Sequence, residues 1–528
     1  MKEHGSINAG GAEAGPQETL VAAMSEPGFY PKPPAEVTHT ETHISHLFFV
    51  GDLVYKIKKT VRFSFLDFST LARRRLFLNE ELRLNRRLAP SVYLGVMPIC
   101  RDESGWRLGG WTEPAEYTLV MRRLPGKRML PFLLETGQVT VAMMRELAEV
   151  IAKFHLGAEP AKGIEPRHWP AMVQQQWHEN LTDLRPFVGG LIEEEALRAI
   201  QRFGESFFKE HGELLARRAA QGWIREVHGD LHCDHVCFAP EGIQIFDCIE
   251  FDSKLRLCDL AAEVAFLTMD LDVRGGASMA APFVRRYSEL MNDAEMAALL
   301  PFYQCYRALV RGKVHALRAQ GASQAAAYFR FAARLTWEPL QPFIAILCGW
   351  TGSGKSTLAR ELGQRTGLQV INSDVVRKSM AKSSGRQAVP LNQGIYSPSM
   401  NERTYAKIAR MAEKELEAGK GVILDATYAQ RVNREKIVHL AEKHRVPLAL
   451  IHCFAPDETI RQRLVQREAD GRDVSDGRWE IYLAQKAACE PISEIPSEAC
   501  LELNTEPPVE QLARLCERFL RLRVGGQL

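Results

Sequence analysis

Residues 343–357 read FIAILCGWTGSGKST, an apolar run followed by a glycine-rich turn. The run Phe343–Cys348 is typical of a strand that is covered on both faces. Glycines in 349–354 let consecutive backbone N–H groups turn toward one anion, and a following helix adds positive potential there. Lys355 can reach the β- and γ-phosphates of a nucleotide, and Ser356 offers a hydroxyl to Mg²⁺. The stretch predicts an ATP site formed by Gly349, Thr351, Gly352, Ser353, Gly354, Lys355, Ser356 and Thr357.

Strands and helices alternate from this stretch to the end of the chain, after a proline-marked break at Pro339 and Pro342. Alternation at this spacing predicts an α/β P-loop NTPase domain over 342–528, with a parallel sheet wrapped by helices. The five predicted strands are Phe343–Cys348, Leu368–Asn372, Val422–Leu424, Leu448–Phe454 and Cys500–Leu503.

Polar residues follow three of these strands. Asp425 comes at a strand end, where a carboxylate can orient Mg²⁺. Asp374 can accept a proton from an incoming hydroxyl, and Arg377 can steady it or hold substrate; both also suit an ordinary helix cap. Arg463 and Arg467, with Arg461 and Arg472 nearby, can fold over the phosphates as a lid, although such helices are commonly solvated basic faces.

Four segments of this half, GWTGSGKST, NSDVVR, VILDATY and RQRLVQR, together resemble the P-loop small-molecule and polynucleotide kinases. That group holds gluconate kinases and polynucleotide 5′-kinases. The resemblance implies a base at Asp374, a substrate contact at Arg377, a metal-side carboxylate at Asp425, and lid arginines at Arg463 and Arg467. It does not fix the substrate.

The first two thirds of the chain have a different pattern. Residues 1–35 are rich in Gly, Ala, Glu and Pro, and we expect a disordered tail there. Two short strands around Gly51–Asp52 form the strongest hairpin signal. Over 36–338 a small strand-rich lobe precedes a larger helical lobe.

A second set of phosphotransfer residues lies in this region. Residues 228–235 read HGDLHCDH, and Asp247 follows an apolar pair. Asp230 suits the base that takes a proton from a substrate hydroxyl, and Asp247 suits a metal that bridges the phosphates. Lys56 can neutralise the α- and β-phosphates, held in place by Glu80 or Glu81.

This set resembles the aminoglycoside phosphotransferase branch of the protein-kinase-like fold, through HGDLHCDH and FDCIEFD and through the order of the segments. The resemblance implies a two-lobed α+β domain that uses ATP and Mg²⁺, and we expect Asp259 to brace the catalytic loop. Two features depart from the family: His235 stands where Asn is usual, and no glycine-rich loop precedes Lys56. His235 is therefore an altered metal ligand or acts differently; a zinc site is the alternative, on His228, His232, Cys233, His235 and Cys237.

Bulk composition sets the remaining limits. The chain has 528 residues, 46% hydrophobic and 25% charged, with a net charge of +2, so nothing in it favours nucleic acid or an anionic membrane. The 11 cysteines lack a CxxC pair and indicate reduced thiols. Without a secretory signal or an apolar run of about 18 residues, we expect a cytoplasmic protein.

These observations predict an ATP-dependent phosphotransferase, using Mg²⁺, that acts on hydroxyl groups of a small polar molecule. One alternative is a P-loop kinase whose N-terminal domain binds a ligand or regulates, with weak turnover of its own. Another is a polynucleotide 5′-end kinase. The sequence leaves the acceptor and the oligomeric state open.

Overall fold

The chain folds into two compact units. The first comprises Met1–Leu191 and Gln201–Phe329, and the second Ile192–Ile200 and Arg330–Leu528. The domain limits predicted at 36–338 and 342–528 stay predictions. The computed structural model describes residues 16–63, 66–103, 105–110, 112–318, 320–381, 393–470 and 478–525.

The first unit begins with an antiparallel sheet of six strands, ordered β1-β2-β3-β8-β6-β7. Apolar residues on both sides of β3 explain its central place, because Val54 packs under α2 while Ile57 packs on the opposite face. Thr70 caps α2 by accepting from the backbone N–H of Arg73. The elements are α1 Pro16–Met24, β1 Val37–Glu41, β2 Ser45–Val50, β3 Leu53–Lys58, β4 Arg62–Phe63, β5 Leu66–Asp67, α2 Leu71–Asn85, β6 Tyr93–Asp102, β7 Gly105–Leu108 and β8 Pro114–Arg122.

Part of the predicted disordered tail is ordered. Residues 16–24 form α1, whose Leu20 and Met24 are buried one helical turn apart against the sheet. The Tyr30 hydroxyl donates to the Met24 carbonyl over 2.6 Å. The prediction was wrong for 16–35 because one short apolar stripe is hidden in a Gly- and Pro-rich composition; residues 1–15 lie outside the described ones.

Helices dominate the rest of this unit, with two small antiparallel ladders among them. One ladder pairs β10 with β11, and the other pairs β9 with β12. Helix α7 is buried along nearly its whole length, so it forms the centre of the helical lobe. The elements from this part of the chain are α3 Leu130–Glu135, α4 Val141–Gly157, α5 Trp169–Asp183, α6 Glu194–Ala220, β9 Ile224–Glu226, β10 Val236–Ala239, β11 Gly242–Ile245, β12 Leu257–Asp259, α7 Leu260–Val273, α8 Ala277–Met291, α9 Met296–Ala316 and α10 Ala322–Leu335. The start of α6 and the end of α10 belong to the second unit.

The second unit is built on the predicted five-stranded parallel sheet, ordered β14-β15-β13-β16-β17. All residues of β13 are buried, as expected for the central strand of a sheet covered on both faces. Two apolar clusters fill the spaces between sheet and helices. The elements are β13 Ile344–Cys348, α11 Lys355–Thr366, β14 Gln369–Asn372, α12 Ser373–Ala381, α13 Pro398–Glu417, β15 Val422–Asp425, α14 Arg431–His444, β16 Leu448–Phe454, α15 Asp457–Asp470, α16 Trp479–Ala487, β17 Cys500–Asn504 and α17 Val509–Val524.

Among the described residues, none of the helices combines the length and the apolar character that crossing a membrane would require.

Candidate functional sites

The glycine-rich turn after β13 has the backbone shape that an anion cradle needs. Gly349, Gly352 and Gly354 have φ angles of 142°, 79° and 80°, a region that residues with side chains rarely adopt. A Cβ on Gly349 would lie only 2.3 Å from the carbonyl oxygen of Cys453. Helix α11 begins directly after Gly354, so its positive end points into the turn.

Several polar groups of this turn are available for a ligand. Thr351 Oγ1 and Ser353 Oγ are buried and have no hydrogen-bond partner among the described residues, which is unusual for buried polar atoms. Lys355 Nζ donates over 3.4 Å to a carbonyl oxygen of the turn itself. Ser356 is half-buried in the first turn of α11, and Thr357 is exposed.

Helix α16 covers one side of the turn. The backbone N–H of Thr351 donates to Gln485 Oε1 over 2.9 Å. The Trp350 ring meets the Tyr482 ring edge-on, with the centroids 5.9 Å apart. These contacts hold the first half of the turn in place without using the N–H groups of Gly354 and Lys355.

Asp425 lies at the carboxyl end of β15, beside the turn. It is buried, and Asn372 at the end of neighbouring β14 donates through Nδ2 to Asp425 Oδ2 over 2.5 Å. Asp425 Oδ1 has no hydrogen-bond partner among the described side chains and backbone groups. One carboxylate oxygen is therefore oriented, and the other is left for a ligand.

The Asp374–Arg377 pair lies on α12, which starts directly after Asn372. Asn372 Oδ1 accepts from the Asp374 N–H over 2.9 Å and so caps the helix. Arg377 donates to Asp374 Oδ1 over 2.5 Å and to Asn401 Oδ1 over 3.1 Å. The buried guanidinium also lies 4.8 Å from the ring centre of Tyr396. Asp374 is thus held by a fixed cation.

The predicted lid arginines have different surroundings. Arg463 donates to the Thr505 hydroxyl over 3.0 Å and to its carbonyl over 2.6 Å. A Cβ at Gly354 would lie 3.4 Å from the Arg463 guanidinium, so this side chain borders the glycine-rich turn. Arg467 is half-buried in the last turn of α15, and Arg472 lies outside the described residues. The lid role of Arg463 and Arg467 stays a prediction.

In the first unit, Lys56 joins two acidic groups from distant parts of the sequence. Lys56 Nζ lies 2.7 Å from Glu81 Oε1 and 3.1 Å from Asp247 Oδ1. Of the two glutamates considered for this lysine, Glu80 is wrong, because it lies on the partly exposed side of α2 and pairs with Arg83 over 2.6 Å. Glu81 is on the face of α2 that packs against the sheet.

A second lysine of β3 shares the same glutamate. Lys58 is fully buried and donates to Glu81 Oε2 over 2.6 Å and to Glu250 Oε1 over 2.5 Å. Burial raises the pKa of Glu81, but Lys56 and Lys58 outweigh this effect and hold that pKa below its usual value. The two lysines thereby connect β3, α2 and the segment after β11.

The catalytic-loop candidate 228–235 is braced by a buried glutamate of α7. Glu263 accepts from the backbone N–H groups of His228 over 3.2 Å and Gly229 over 2.6 Å. His155 Nε2 lies 2.8 Å from the same carboxylate. Asp259, the expected brace, instead pairs with Arg218 over 2.8 Å; that prediction was wrong because Glu263, one helical turn later, reaches the loop.

Asp230, His235 and Asp247 come together at the end of this loop. His235 Nδ1 lies 2.9 Å from the Asp230 carbonyl oxygen, and His235 Nε2 lies 3.6 Å from Asp247 Oδ2. Burial raises the pKa of both aspartates, but nearby cations outweigh it and keep both pKa values well below the usual range. The largest opposing contribution to the pKa comes from Lys56 for Asp247 and from the neighbouring His232 imidazole for Asp230. Asp247 has a φ of 63°, a strained backbone for a non-glycine residue.

The zinc alternative receives limited support. Among the described residues, the ligand atoms that lie within 4.8 Å of one another belong to Asp230, His232 and His235, without a cysteine. His228 Nε2 lies 2.9 Å from the Phe246 carbonyl oxygen and is therefore used as a donor. The five-residue His/Cys set predicted from the sequence does not converge.

The β1–β2 turn stands where the glycine-rich loop of the family would be. Thr42 Oγ1 accepts from the backbone N–H groups of Ile44 over 3.3 Å and Ser45 over 3.0 Å. The N–H of Thr42 itself donates to the Ser45 carbonyl over 2.8 Å. Because these donors are already paired, this turn does not offer them to phosphates.

Three neighbours of the candidate sites were not predicted from the sequence. Glu263 is a lone acid in the apolar run LAAEVAFL, a signal that could have identified it. Lys58 is fully buried, although lysine side chains are mostly exposed in folded proteins. Gln485 carried no signal, because its contact with Thr351 depends on the packing of α16.

Two family models match separate parts of the chain. Residues 50–302 match the model described as "Phosphotransferase enzyme family", and residues 344–492 match the model described as "AAA domain". The uncharacterized protein Rv2004c of Mycobacterium tuberculosis is 32% identical over 441 residues, which cover 82% of this chain and 87% of that protein.

Two solved structures match about a third of the chain. A sugar kinase from Janibacter sp. HTCC2649 is 21% identical, covering 35% of this chain and 96% of its own, with a TM-score of 0.28. A gluconokinase from Sinorhizobium meliloti 1021 is 18% identical, covering 34% and 94%, with a TM-score of 0.26.

Proposed function

This chain belongs to the same family as the mycobacterial protein, and we propose that its P-loop half transfers the γ-phosphoryl group of Mg-ATP to a hydroxyl of a small polar molecule. The chain itself joins a phosphotransferase-family domain to a P-loop kinase domain. The observation that carries the proposal is the side chain of Asn372. It fixes Asp425 through one end and the helix that bears Asp374 through the other.

Each group then has a separate task. The glycine-rich turn and Lys355 bind the phosphates, while Ser356 and the free oxygen of Asp425 hold Mg²⁺. Asp374, which pairs with Arg377, accepts the proton of the attacking hydroxyl. Because the acceptor side and the metal side share one positioning residue, the hydroxyl and the γ-phosphate are kept in a fixed relation.

The experiment is an acceptor screen with γ-labelled ATP and the full chain. We expect label on a small polar alcohol with the wild type and Asp230→Asn, and at least about a hundredfold less with Lys355→Ala. Asp374→Asn should bind ATP normally and transfer poorly. Label on the 5′ end of an oligonucleotide would instead establish the polynucleotide alternative, and full transfer by Lys355→Ala would overturn the proposal.

We also propose that the N-terminal half uses phosphotransfer chemistry at a second site. The supporting observation is that Lys56 bridges Glu81 and Asp247, so the lysine proposed to bind phosphates lies next to the carboxylate proposed to bind a metal. With a labelled acceptor of its own, this half should lose transfer in Asp230→Asn and keep it in Lys355→Ala. Nucleotide binding without any transfer would favour the regulatory alternative.

A further inference from the structure

We infer that the metal position of the N-terminal half is built for a divalent cation that accepts an imidazole ligand, such as Mn²⁺ or Zn²⁺, in preference to Mg²⁺. The inference rests on the proposed role of Asp247 as a metal ligand. Mg²⁺ prefers oxygen ligands, and this position offers one imidazole nitrogen and one carboxylate oxygen from His235 and Asp247.

The hydrogen bonding of His235 decides which of its nitrogens can bind an ion. Its Nδ1 lies 2.9 Å from the Asp230 backbone carbonyl, which can only accept, so Nδ1 carries the proton. In the neutral ring Nε2 then has a free lone pair. A carbonyl that orients a metal-binding histidine in this way is the usual outer-shell arrangement.

The free nitrogen faces a free carboxylate oxygen. Lys56 Nζ pairs with Asp247 Oδ1 over 3.1 Å, so Oδ2 is the carboxylate oxygen that remains to bind an ion. His235 Nε2 and Asp247 Oδ2 lie 3.6 Å apart, too far for a hydrogen bond. Two ligand atoms about 2.1 Å from a tetrahedral ion such as Zn²⁺ lie about 3.4 Å from each other. The two acceptors are therefore spaced to share one cation.

His232 is the competing imidazole, and its contacts argue against it. Its Nδ1 accepts from the Asp234 N–H over 3.3 Å, while its Nε2 lies 3.2 Å from the Arg311 guanidinium. A cation at Nε2 of His232 would face that positive charge directly. His232 is accordingly the matched control for His235.

Pulsed electron paramagnetic resonance of Mn²⁺ bound to the full chain, with a non-hydrolysable ATP analogue, tests the inference. Modulation from an imidazole nitrogen should be present in the wild type, absent in His235→Asn and retained in His232→Gln. Ions bound to Ser356 and Asp425 give no such modulation. The preference for Mn²⁺ over Mg²⁺, from binding titrations, should fall roughly tenfold in His235→Asn.

Two results would overturn the inference: bound Mn²⁺ without nitrogen modulation in the wild type, or modulation that survives in His235→Asn. Should His235→Asn fail to fold, His235→Gln supplies a neutral oxygen at the same place. Nucleotide binding is measured on the same samples. Modulation without nucleotide binding would contradict the proposed function of this half and leave the metal assignment intact.

Discussion

The Asn372 amide nitrogen donates to Asp425 Oδ2 over 2.5 Å, and this bond ties together the ends of two neighbouring parallel strands. The other end of the same amide caps α12. One side chain thus sets the orientation of Asp425, the proposed metal ligand, and the position of Asp374, the proposed base.

Replacing Asn372 separates these two tasks. Asn372→Ser keeps a capping oxygen and loses the donor to Asp425, so we expect a higher Mg²⁺ requirement with little change in stability. Asn372→Ala also loses the cap, which costs about 1 kcal/mol of unfolding free energy. Urea unfolding of the two variants measures the loss of stability, and titration of turnover with Mg²⁺ measures the metal requirement. Equal stability losses with an unchanged Mg²⁺ requirement would show that the amide neither caps α12 nor orients Asp425.

Glu81, and not its neighbour, should support nucleotide binding in the N-terminal half. Glu81→Gln removes the charge that holds Lys56 in place, and we expect nucleotide affinity there to fall about tenfold. Glu80→Gln is the matched control and should bind as the wild type does. Affinity is measured by titration in a Lys355→Ala background, and equal losses in the two variants would contradict the assignment.

Lys58 should matter far more for stability than the lysine beside it. Lys58→Met leaves the buried carboxylates of Glu81 and Glu250 without their shared cation, at a cost of about 3–5 kcal/mol. Lys59→Met removes a partly exposed lysine whose partner, Glu41, is solvated, and should change little. Urea unfolding of the two variants gives the comparison; similar midpoints would refute the buried network.

The stability of the first unit should fall as the pH drops from about 6.5 to about 4. Burial lowers the pKa of His228 to about 4 and that of His315 to about 4. Within that window the unfolded chain binds protons that the folded chain does not, so the free energy of unfolding decreases, by at most about 1.4 kcal/mol per pH unit for each histidine. Above about pH 6.5 the contribution of these neutral histidines to the free energy of unfolding is fully present.

Urea unfolding at several pH values checks the direction. His228→Gln, which keeps a donor for the Phe246 carbonyl, should reduce the slope without abolishing it, because His315 titrates in the same window. A slope identical to that of the wild type would show that His228 is not held neutral in the fold.

The sequence was sufficient for those features that depend on local pattern. The strand–turn–helix around Lys355 and the five parallel strands follow from hydrophobic runs and turn residues, whereas the roles of Lys56, Asp230 and Asp247 are predictions supported by the family resemblance. Contacts that depend on tertiary packing could not be predicted from the sequence. For example, whether Glu80 or Glu81 faces β3 depends on how α2 packs on the sheet. The same holds for the residue that braces the 228–235 loop, which is Glu263 and not Asp259.

Phosphorus NMR of the products formed by the full chain from ATP and the acceptor of the P-loop half tests the central claim most directly. A kinase yields ADP and a phosphate monoester in equal amounts, and we expect this result with the wild type and its loss in Lys355→Ala. ADP accompanied only by orthophosphate, AMP with pyrophosphate, or unchanged monoester formation by Lys355→Ala would contradict the proposal that the P-loop half transfers a phosphoryl group to a hydroxyl.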